Sequence, residues 1–271
     1  MDLEAIQQAL NHLPLGPVRF HRQTGSTNED ANHWAQAGAP DLALVTAEEQ
    51  TQGRGRLERR WFTPPGAALA LSLVLRPDQT PVDAGRPQAL ARLTALGALA
   101  VCSALEDISR GELQPEIKWP NDVLLERRKT AGILVEISWE GERFTSAVLG
   151  IGVNVSSQSV PPANALLFPA TCVEAALGRS VERLELLGAV LERVLYWRAR
   201  LNSDEFLQAW QEQLAFKGEW VQISRGDPSG PTMKNARLVG VRMDGGLELI
   251  DREGKLITLQ TGEVSLRPVE K

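Results

Sequence analysis

The chain is poor in the residues that carry several common chemistries. Its 271 residues include two cysteines, three histidines and one tyrosine. Cys102 and Cys172 lie among small apolar neighbours, which favours reduced structural thiols over a disulfide or a metal pair. The histidines show no metal-ligand spacing, which argues against a zinc site. The sequence also has no Gly-x-Ser-x-Gly nucleophile motif and no Walker-type phosphate loop. These absences argue against zinc chemistry, P-loop chemistry and a covalent enzyme nucleophile.

Features of a membrane or secreted protein are also missing. The most evident apolar run, at 67–75, is too short to cross a bilayer. The chain begins Met-Asp-Leu-Glu-Ala-Ile, which lacks the basic start and apolar core of a signal peptide. We therefore expect a cytoplasmic protein with no membrane association. The net charge of −5 argues against broad nucleic-acid binding.

Lysine is scarce as well. The chain has 29 lysines and arginines together, of which six are lysine, and only Lys118 and Lys129 fall within the first 216 residues. Because arginine is so strongly preferred, a retained lysine indicates a need for a compact ammonium group. Both lysines lie in one short stretch, which makes that stretch a candidate site.

The pattern of apolar runs, caps and turns predicts an α+β fold. Alanine and leucine dominate a predicted long core helix at 84–108, and 68–75 is a predicted buried strand. Segments 132–139 and 144–155 flank Glu140-Gly141-Glu142, which predicts a hairpin. After residue 216 the pattern changes to five short strands with tight turns, typical of a small β-barrel. We predict a large mixed-sheet catalytic domain with flanking helices at 1–216 and a C-terminal β-barrel at 217–271.

Three segments carry residues suited to binding a ligand. Thr51–Trp61 alternates glycine with arginine, so it is either a loop that closes over phosphate or carboxylate or an ordinary solvated basic loop. Lys118–Asp122 contains a proline turn that would project an amide and a carboxylate, although an ordinary turn has the same pattern. Gly150–Asn154 puts two glycines into an apolar strand, which often marks the close approach of a ligand or another backbone.

Seven motifs follow one another in a fixed order, and the set is far more specific than any one of them. They are Gly-Ser-Thr-Asn at 25–28, Gln-x-x-Gly-Arg-Gly-Arg at 50–56, Trp61, Lys-Trp-Pro-Asn-Asp at 118–122, Arg-Lys-x-Ala-Gly-Ile-Leu-Val-Glu at 128–136, Gly-Ile-Gly-Val-Asn at 150–154 and Glu-Val-Ser-Leu-Arg at 263–267. Over about residues 18–268 this set resembles biotin–protein ligase, also called biotin–[acetyl-CoA-carboxylase] ligase.

The resemblance implies a catalytic domain like those of class II synthetases and lipoate ligases. It also implies a two-step reaction that uses ATP and Mg²⁺. Biotin would first be activated to biotinyl-5′-adenylate with release of pyrophosphate. The biotinyl group would then pass to one lysine of the biotin carboxyl carrier domain of acetyl-CoA carboxylase or a related carboxylase.

The resemblance further implies roles for individual residues. Biotin would be bound by Ser26, Thr27, Asn28, Gln50, Gly53, Arg54, Gly55, Arg56, Lys129, Gly132 and Gly152. The nucleotide would be bound by Trp61, Asn121, Asn154, Arg56, Glu263 and Arg267, with Asp122 holding Mg²⁺. Arg54, Arg56, Lys118 and Lys129 would act in catalysis by offsetting the negative charge that develops at the phosphate.

Two features depart from the family pattern. Leu57 and Glu58 replace an Arg-Gly pair, which removes a glycine from the tip of the loop and adds a negative charge. About 17 residues precede the first predicted strand, too few for a DNA-binding domain. We therefore expect a monofunctional ligase that does not bind DNA, as a monomer or a homodimer. The alternatives are a lipoate–protein ligase, which shares the catalytic fold, and a non-catalytic biotin sensor.

Overall fold

The computed structural model describes residues 1–80, 86–225, 232–260 and 264–268. Its helices are Leu3–Leu10 (α1), Thr27–Gln36 (α2), Arg86–Ser109 (α3), Val173–Leu177 (α4), Arg183–Arg198 (α5) and Asp204–Glu212 (α6). Its strands are Val18–His21 (β1), Leu44–Ala47 (β2), Ala68–Leu75 (β3), Glu116–Lys118 (β4), Asp122–Leu125 (β5), Arg128–Glu140 (β6), Arg143–Asn154 (β7), Trp220–Arg225 (β8), Thr232–Val241 (β9), Leu247–Ile250 (β10), Leu256–Leu259 (β11) and Val264–Pro268 (β12).

Seven strands form a mixed sheet in the order β1-β2-β3-β7-β6-β5-β4. Strands β1 and β2 are parallel, and the remaining pairs are antiparallel. The central strand β3 is buried along its whole length, as its continuous apolar run predicts. The predicted hairpin is confirmed in β6 and β7, which turn at Gly141 with a positive φ of 60°. The α+β fold class is therefore confirmed.

Helix α3 is the core helix of the molecule and packs against α5 and β6. By length and composition alone, its segment Gln88–Ser109 could cross a bilayer, so the expectation that no apolar run is long enough was wrong. However, 78% of its most apolar window is buried inside the fold, which is the placement of a core helix. At Gly97 an added Cβ would lie 2.8 Å from Ile133 Cγ2, so glycine lets the helix lie close to the sheet.

The C-terminal strands form a second, antiparallel sheet in the order β11-β10-β9-β8-β12. Five strands are present, as predicted, but within the described ranges β11 and β12 do not pair to close the sheet into a barrel. This sheet lies against the larger part of the chain: Trp119 Nε1 donates to the Gly245 carbonyl at 3.1 Å, and Arg92 Nε donates to the Met243 carbonyl at 3.1 Å. The domain boundary after residue 216 stays a prediction.

Candidate functional site

The site lies on the face of the seven-stranded sheet where α2 begins. Cross-strand partners form two adjacent rows on its floor: Ala70, Gly152, Gly132, Asp122 and Lys118 in the first, and Ser72, Gly150 and Leu134 in the second. Residues two apart on a strand share a face, so these rows point into the same space. The small residues of the central strands leave a cavity of about 140 Å³. The strand register therefore joins three motifs that are far apart in sequence.

Thr27, Asn28 and Gln50 line one end of the cavity; together with Ser72, which contacts the first two, they are here called the polar wall. Both the backbone N–H and the hydroxyl of Thr27 donate to Gln50 Oε1, at 2.9 and 3.1 Å. Gln50 Nε2 in turn donates to Thr63 Oγ1 at 3.0 Å. The Ser72 hydroxyl lies 2.6 Å from Asn28 Oδ1 and 2.9 Å from Thr27 Oγ1. The side chains of the polar wall are thus oriented by one another.

Asn28 links the polar wall to β6. Its Nδ2 donates to the Leu134 carbonyl at 3.2 Å and to Glu136 Oε2 at 2.8 Å. A Cβ on Gly150 would lie 2.7 Å from Asn28 Cγ and still nearer to Oδ1, so only glycine admits the amide there. The strand glycine at 150 therefore serves the close approach of a side chain. The amide of Asn28 is committed to protein partners, although the residue lines the cavity.

Trp61 covers the two glycines in the middle of the floor. A Cβ on Gly132 would lie 3.1 Å from Trp61 Cζ3, and a Cβ on Gly152 would lie 2.9 Å from Cζ2. The buried Trp61 Nε1 has no hydrogen-bond partner within the described part of the chain. Buried donors are nearly always paired, so this group is able to donate to a ligand. The structure thus places Trp61 on the glycines predicted to bind biotin, whereas the sequence assigned it to the nucleotide.

The other end of the cavity, here called the cationic row, contains Lys118, Asp122 and Lys129. Lys129 Nζ lies 2.5 Å from Asp122 Oδ1, and Lys118 Nζ lies 3.5 Å from Asp122 Oδ2. Burial lowers the pKa of the Lys118 ammonium against the opposing effect of Asp122. Burial alone would raise the pKa of Asp122, but the ammonium groups of Lys129 and Lys118 hold that pKa below its usual value. Asp122 is therefore a carboxylate at neutral pH.

The cavity as a whole is strongly positive. Its charged lining residues within the described ranges are Arg54, Arg56, Arg59, Arg60, Lys118, Lys129 and Asp122, which are six cations and one carboxylate. The whole chain has the opposite balance, with a net charge of −5. Positive side chains have been concentrated at one place in an acidic protein, which indicates an anionic ligand.

Arg56 extends the positive charge toward the Lys118–Asp122 motif. Its Nη1 donates to Asn121 Oδ1 at 3.2 Å, and Asn121 Nδ2 donates to the Ile133 carbonyl at 3.0 Å. Burial lowers the pKa of the Arg56 guanidinium, with Asp122 acting in the opposite direction. Trp119, between Lys118 and Asn121, is 2% exposed and belongs to the core.

The loop at 51–61 is a small hairpin with an unusual tip. Gly55 N donates to the Arg59 carbonyl at 2.7 Å, and Arg59 N donates to the Arg56 carbonyl at 3.2 Å. Leu57 and Glu58 both have positive φ values, 56° and 57°. The left-handed backbone conformation that favours glycine is therefore present at the tip, although both residues there carry side chains. Each of them pays roughly 1–2 kcal/mol for this backbone conformation.

A family model for the biotin/lipoate A/B protein ligase family matches residues 20–154. The biotin–[acetyl-CoA-carboxylase] ligase of Mycobacterium tuberculosis is 37% identical over 251 residues, covering 89% of this chain and 86% of that protein. The chain belongs to the biotin/lipoate A/B protein ligase family. The ligase of the same name from Paracoccus denitrificans is 37% identical over 203 residues, covering 73% of this chain and 80% of that protein.

Other relatives are longer than the matched region. The bifunctional ligase/repressor BirA of Bacillus subtilis is 37% identical over 172 residues, so the match spans about half of that protein's length. Among solved structures, the biotin protein ligase from Aquifex aeolicus in complex with biotin and ATP superposes with a TM-score of 0.76 and 26% identity. That match covers 93% of this chain and 99% of the Aquifex chain.

Most of the residues singled out through the family resemblance line one cavity. They are Ser26, Thr27, Asn28, Gln50, Arg54, Gly55, Arg56, Trp61, Lys118, Asn121, Asp122, Lys129, Gly132 and Gly152. Gly53 is not part of the lining; its carbonyl accepts from Trp61 N at 2.8 Å and so aligns the two sides of the loop hairpin. Glu263 lies outside the described residues. The roles of all these residues stay predictions.

Two residues predicted to bind the nucleotide do not line the cavity. Asn154 is 5% exposed, and its Nδ2 donates to the Thr171 carbonyl at 3.1 Å. Arg267 comes from the C-terminal sheet and donates to the Leu167 carbonyl. The adjacent Phe168 ring lies 4.8 Å from Lys118 Nζ, so Arg267 contacts the segment that covers the cationic row.

Several side chains of the site were missed at the level of sequence, among them Arg59 and Arg60 of the lining and three partners of the predicted residues. Ser72 and Thr63 complete the hydrogen bonds of the polar wall, and Glu136 binds Arg54 and Asn28. Ser72 could have been noticed as the one polar residue of the predicted buried strand. Glu136 was part of a quoted motif but received no role.

Proposed function

We propose that the protein activates biotin with ATP to biotinyl-5′-adenylate and then transfers the biotinyl group to a lysine of a biotin carboxyl carrier domain. The acceptor would belong to acetyl-CoA carboxylase or a related carboxylase. The observation that supports this proposal most directly is a single cavity that contains the polar wall, the two floor glycines and the cationic row. The names of the Mycobacterium and Paracoccus relatives and the biotin and ATP of the Aquifex complex support this choice.

The arrangement suits a ligand with a polar head, an apolar body and an anionic end. Biotin has this shape: a ureido head, a ring and valeryl chain, and a carboxylate. The hydrogen-bonding groups of the polar wall would take the head, and the Trp61 indole, which Gly132 and Gly152 admit to the floor, would lie against the body. The carboxylate would then reach the cationic row. Concave sites of this kind use a few placed polar groups for specificity.

The cationic row would lower the barrier to adenylation. Attack of the biotin carboxylate on the α-phosphate of ATP brings two anions together. Lys118 and Lys129 hold positive charge within a cavity whose lining includes Arg56, and fixed cations of this kind stabilise the charge that develops in the transition state. The carbon–oxygen–phosphorus link would form as pyrophosphate leaves, so no enzyme nucleophile is needed.

Asp122 is the residue that would hold Mg²⁺. It is the one carboxylate among the described lining residues of the cavity, and Mg²⁺ is commonly held by one or two carboxylates together with substrate phosphates. Its donor chemistry therefore fits the ion. A bound Mg²⁺ would offset phosphate charge, and Asp122 would have to exchange part of its pairing with Lys118 and Lys129 for it.

Pyrophosphate release tests the proposal directly. With ATP and Mg²⁺ present, release should require biotin and should not occur with lipoate. Biotin should then appear on a purified carrier domain, and a carrier whose acceptor lysine is replaced by arginine should remain unmodified. Release with lipoate alone would support a lipoate ligase, and biotin binding without any release would support a non-catalytic sensor. Cytoplasmic location, the lack of DNA and membrane binding, and the monomeric or homodimeric state stay predictions.

A further inference from the structure

Glu136 ends the Arg128–Glu136 motif, and its carboxylate connects β6 to α2 and to the loop hairpin. It lies on β6, two residues beyond Leu134 and four beyond Gly132, so all three share the face that carries the site. Its Oε2 accepts from Asn28 Nδ2 at 2.8 Å and from Asn32 Nδ2 at 3.0 Å, both on α2. Arg54 Nη2 donates to its Oε1 and Oε2, each at 3.2 Å.

The contact with Glu136 determines where the Arg54 guanidinium lies. The Arg54 guanidinium, expected from the sequence to close over biotin and the activated phosphate, lines the cavity and is paired with a carboxylate at its α2 side. The Arg54 and Glu136 side chains are 44% and 32% exposed, so the pair alone has only a modest effect on stability. The main effect of the pair is on position, because it holds the start of the loop hairpin against strand β6.

Glu136 also sets the direction of the hydrogen bonds in the polar wall. An ionised carboxylate can only accept, so it draws the Nδ2 of Asn28 toward itself and leaves Oδ1 facing Ser72. The Leu134 carbonyl favours the same orientation of that amide. At the far end of the wall, both donors of Thr27 meet Gln50 Oε1, which turns Gln50 Nε2 toward Thr63.

We propose that Glu136 is a positioning residue for biotin: it acts through Arg54 and Asn28 to hold the loop hairpin and the polar wall in the arrangement that binds the ligand. This inference rests on the proposed function, since it assumes that biotin occupies the cavity. It assigns Glu136 no contact with the reacting atoms. Its loss should therefore weaken biotin binding far more than it affects ATP use.

Glu136→Gln is the decisive variant because it keeps the size of the side chain and removes its charge. We expect the dissociation constant for biotin, measured without ATP, to rise about ten-fold, the scale of a lost charge-assisted contact. The KM for ATP should stay within about two-fold of the wild-type value. Glu140→Gln is the matched control, because it removes the same charge from the exposed end of the same strand.

A second measurement does not depend on turnover. Trypsin cleaves after arginine, and the loop hairpin carries Arg54, Arg56, Arg59 and Arg60. Saturating biotin should slow this cleavage in the wild type and in Glu140→Gln but not in Glu136→Gln, at matched thermal stability. In a cycle with Arg54→Gln, the two losses of biotin affinity should combine to less than their product, because the residues act together.

The outcomes separate this inference from the proposed function. Wild-type protein that neither binds biotin nor releases pyrophosphate with it would overturn both. Wild-type protein that does so, together with a Glu136→Gln variant equal to it in biotin affinity and in loop protection, would overturn the role of Glu136 alone. Equal losses in biotin affinity and ATP KM would also overturn it, because they would indicate general damage to the fold.

Discussion

The polar wall and the cationic row lie at the two ends of one cavity, yet their side chains are balanced differently. In the polar wall, Thr27, Asn28, Gln50 and Ser72 are connected by hydrogen bonds among themselves and with Thr63 and Glu136. In the cationic row, the two ammonium groups of Lys118 and Lys129 share one carboxylate. In the polar wall, hydrogen-bond donors are matched by acceptors within the protein. The cationic row carries one more positive charge than its carboxylate offsets.

Under the proposed function, this difference would divide the two tasks of a ligase between the two ends. A matched network keeps its geometry before the ligand arrives, so it can discriminate between ligands at little ordering cost. Excess positive charge in a partly desolvated site is unfavourable until anions bind, and it becomes most favourable when negative charge builds up at the phosphate. Changes at the cationic row should therefore affect chemistry, and changes at the polar wall or the glycine floor should affect biotin binding.

The largest effect should come from Lys129→Ala. It removes a cation that lies 2.5 Å from Asp122. The negative charge of that carboxylate would then be less offset when the anionic substrates bind. We expect biotin-dependent pyrophosphate release to fall by a factor of roughly 10² to 10³, the scale found when one transition-state donor is removed. Biotin affinity measured without ATP should fall far less. Lys255→Ala, at an exposed position of the C-terminal sheet, serves as the control.

A Lys129→Ala variant with turnover within a few-fold of the wild type would contradict the assignment of catalysis to the cationic row and of biotin binding to the polar wall. So would a variant that lost biotin affinity and turnover by the same factor. Stopped-flow measurement of pyrophosphate release at saturating biotin and ATP separates these outcomes, since it reports the chemical step apart from binding.

Gly152→Ala tests the glycine floor and should have the next largest effect. The new Cβ would lie 2.9 Å from Trp61 Cζ2 and closer to other atoms of the indole, so the ring would have to move out of the cavity. Biotin bound beside the displaced ring would be overpacked or would lose its contact with the indole, so its affinity should fall by roughly ten- to 100-fold, the scale of an overpacking cost on the order of 1–3 kcal/mol. Isothermal titration with biotin measures this loss.

Gly188→Ala is the matched control for the floor variant. It makes the same substitution within α5, where the nearest atom to the new Cβ is Leu10 Cδ2 at 3.9 Å. It should leave biotin affinity unchanged and slightly raise thermal stability, because alanine favours a helix over glycine. Equal biotin affinities for the two variants would show that the floor does not need glycine at 152.

Local patterns in the sequence were sufficient for the elements that carry the site. The alanine- and leucine-rich run predicted α3 within about two residues, and turn residues predicted the β6–β7 hairpin. Helix α1 was missed although Asp2 caps it and accepts from Ala5 N at 2.9 Å. A short helix at a chain end has few residues with which to show its period, so its cap was the one strong signal.

The connections inside the site could not be read from local patterns. Glu136 and Asn28 are separated by 108 residues, and Ser72 and Asn28 by 44. Such pairs depend on strand order and register, which fix which faces meet. The same reason explains Asn154, which stands at the end of a motif but turns toward Thr171. Family resemblance located the motifs, but the partner of each side chain required the fold.

The smallest expected effect concerns Glu58, at the tip of the loop hairpin that closes between the two ends. Its φ of 57° strains a residue with a side chain and not a glycine. Glu58→Gly should relieve roughly 1 kcal/mol in the closed hairpin and so raise biotin affinity about five-fold. Glu58→Ala removes the same charge but keeps the strain, so it should bind biotin like the wild type. If the glycine and alanine variants bound biotin equally tightly and both more tightly than the wild type, charge and not backbone conformation would control the tip. If both bound biotin like the wild type, relief of strain at residue 58 would have no effect on binding.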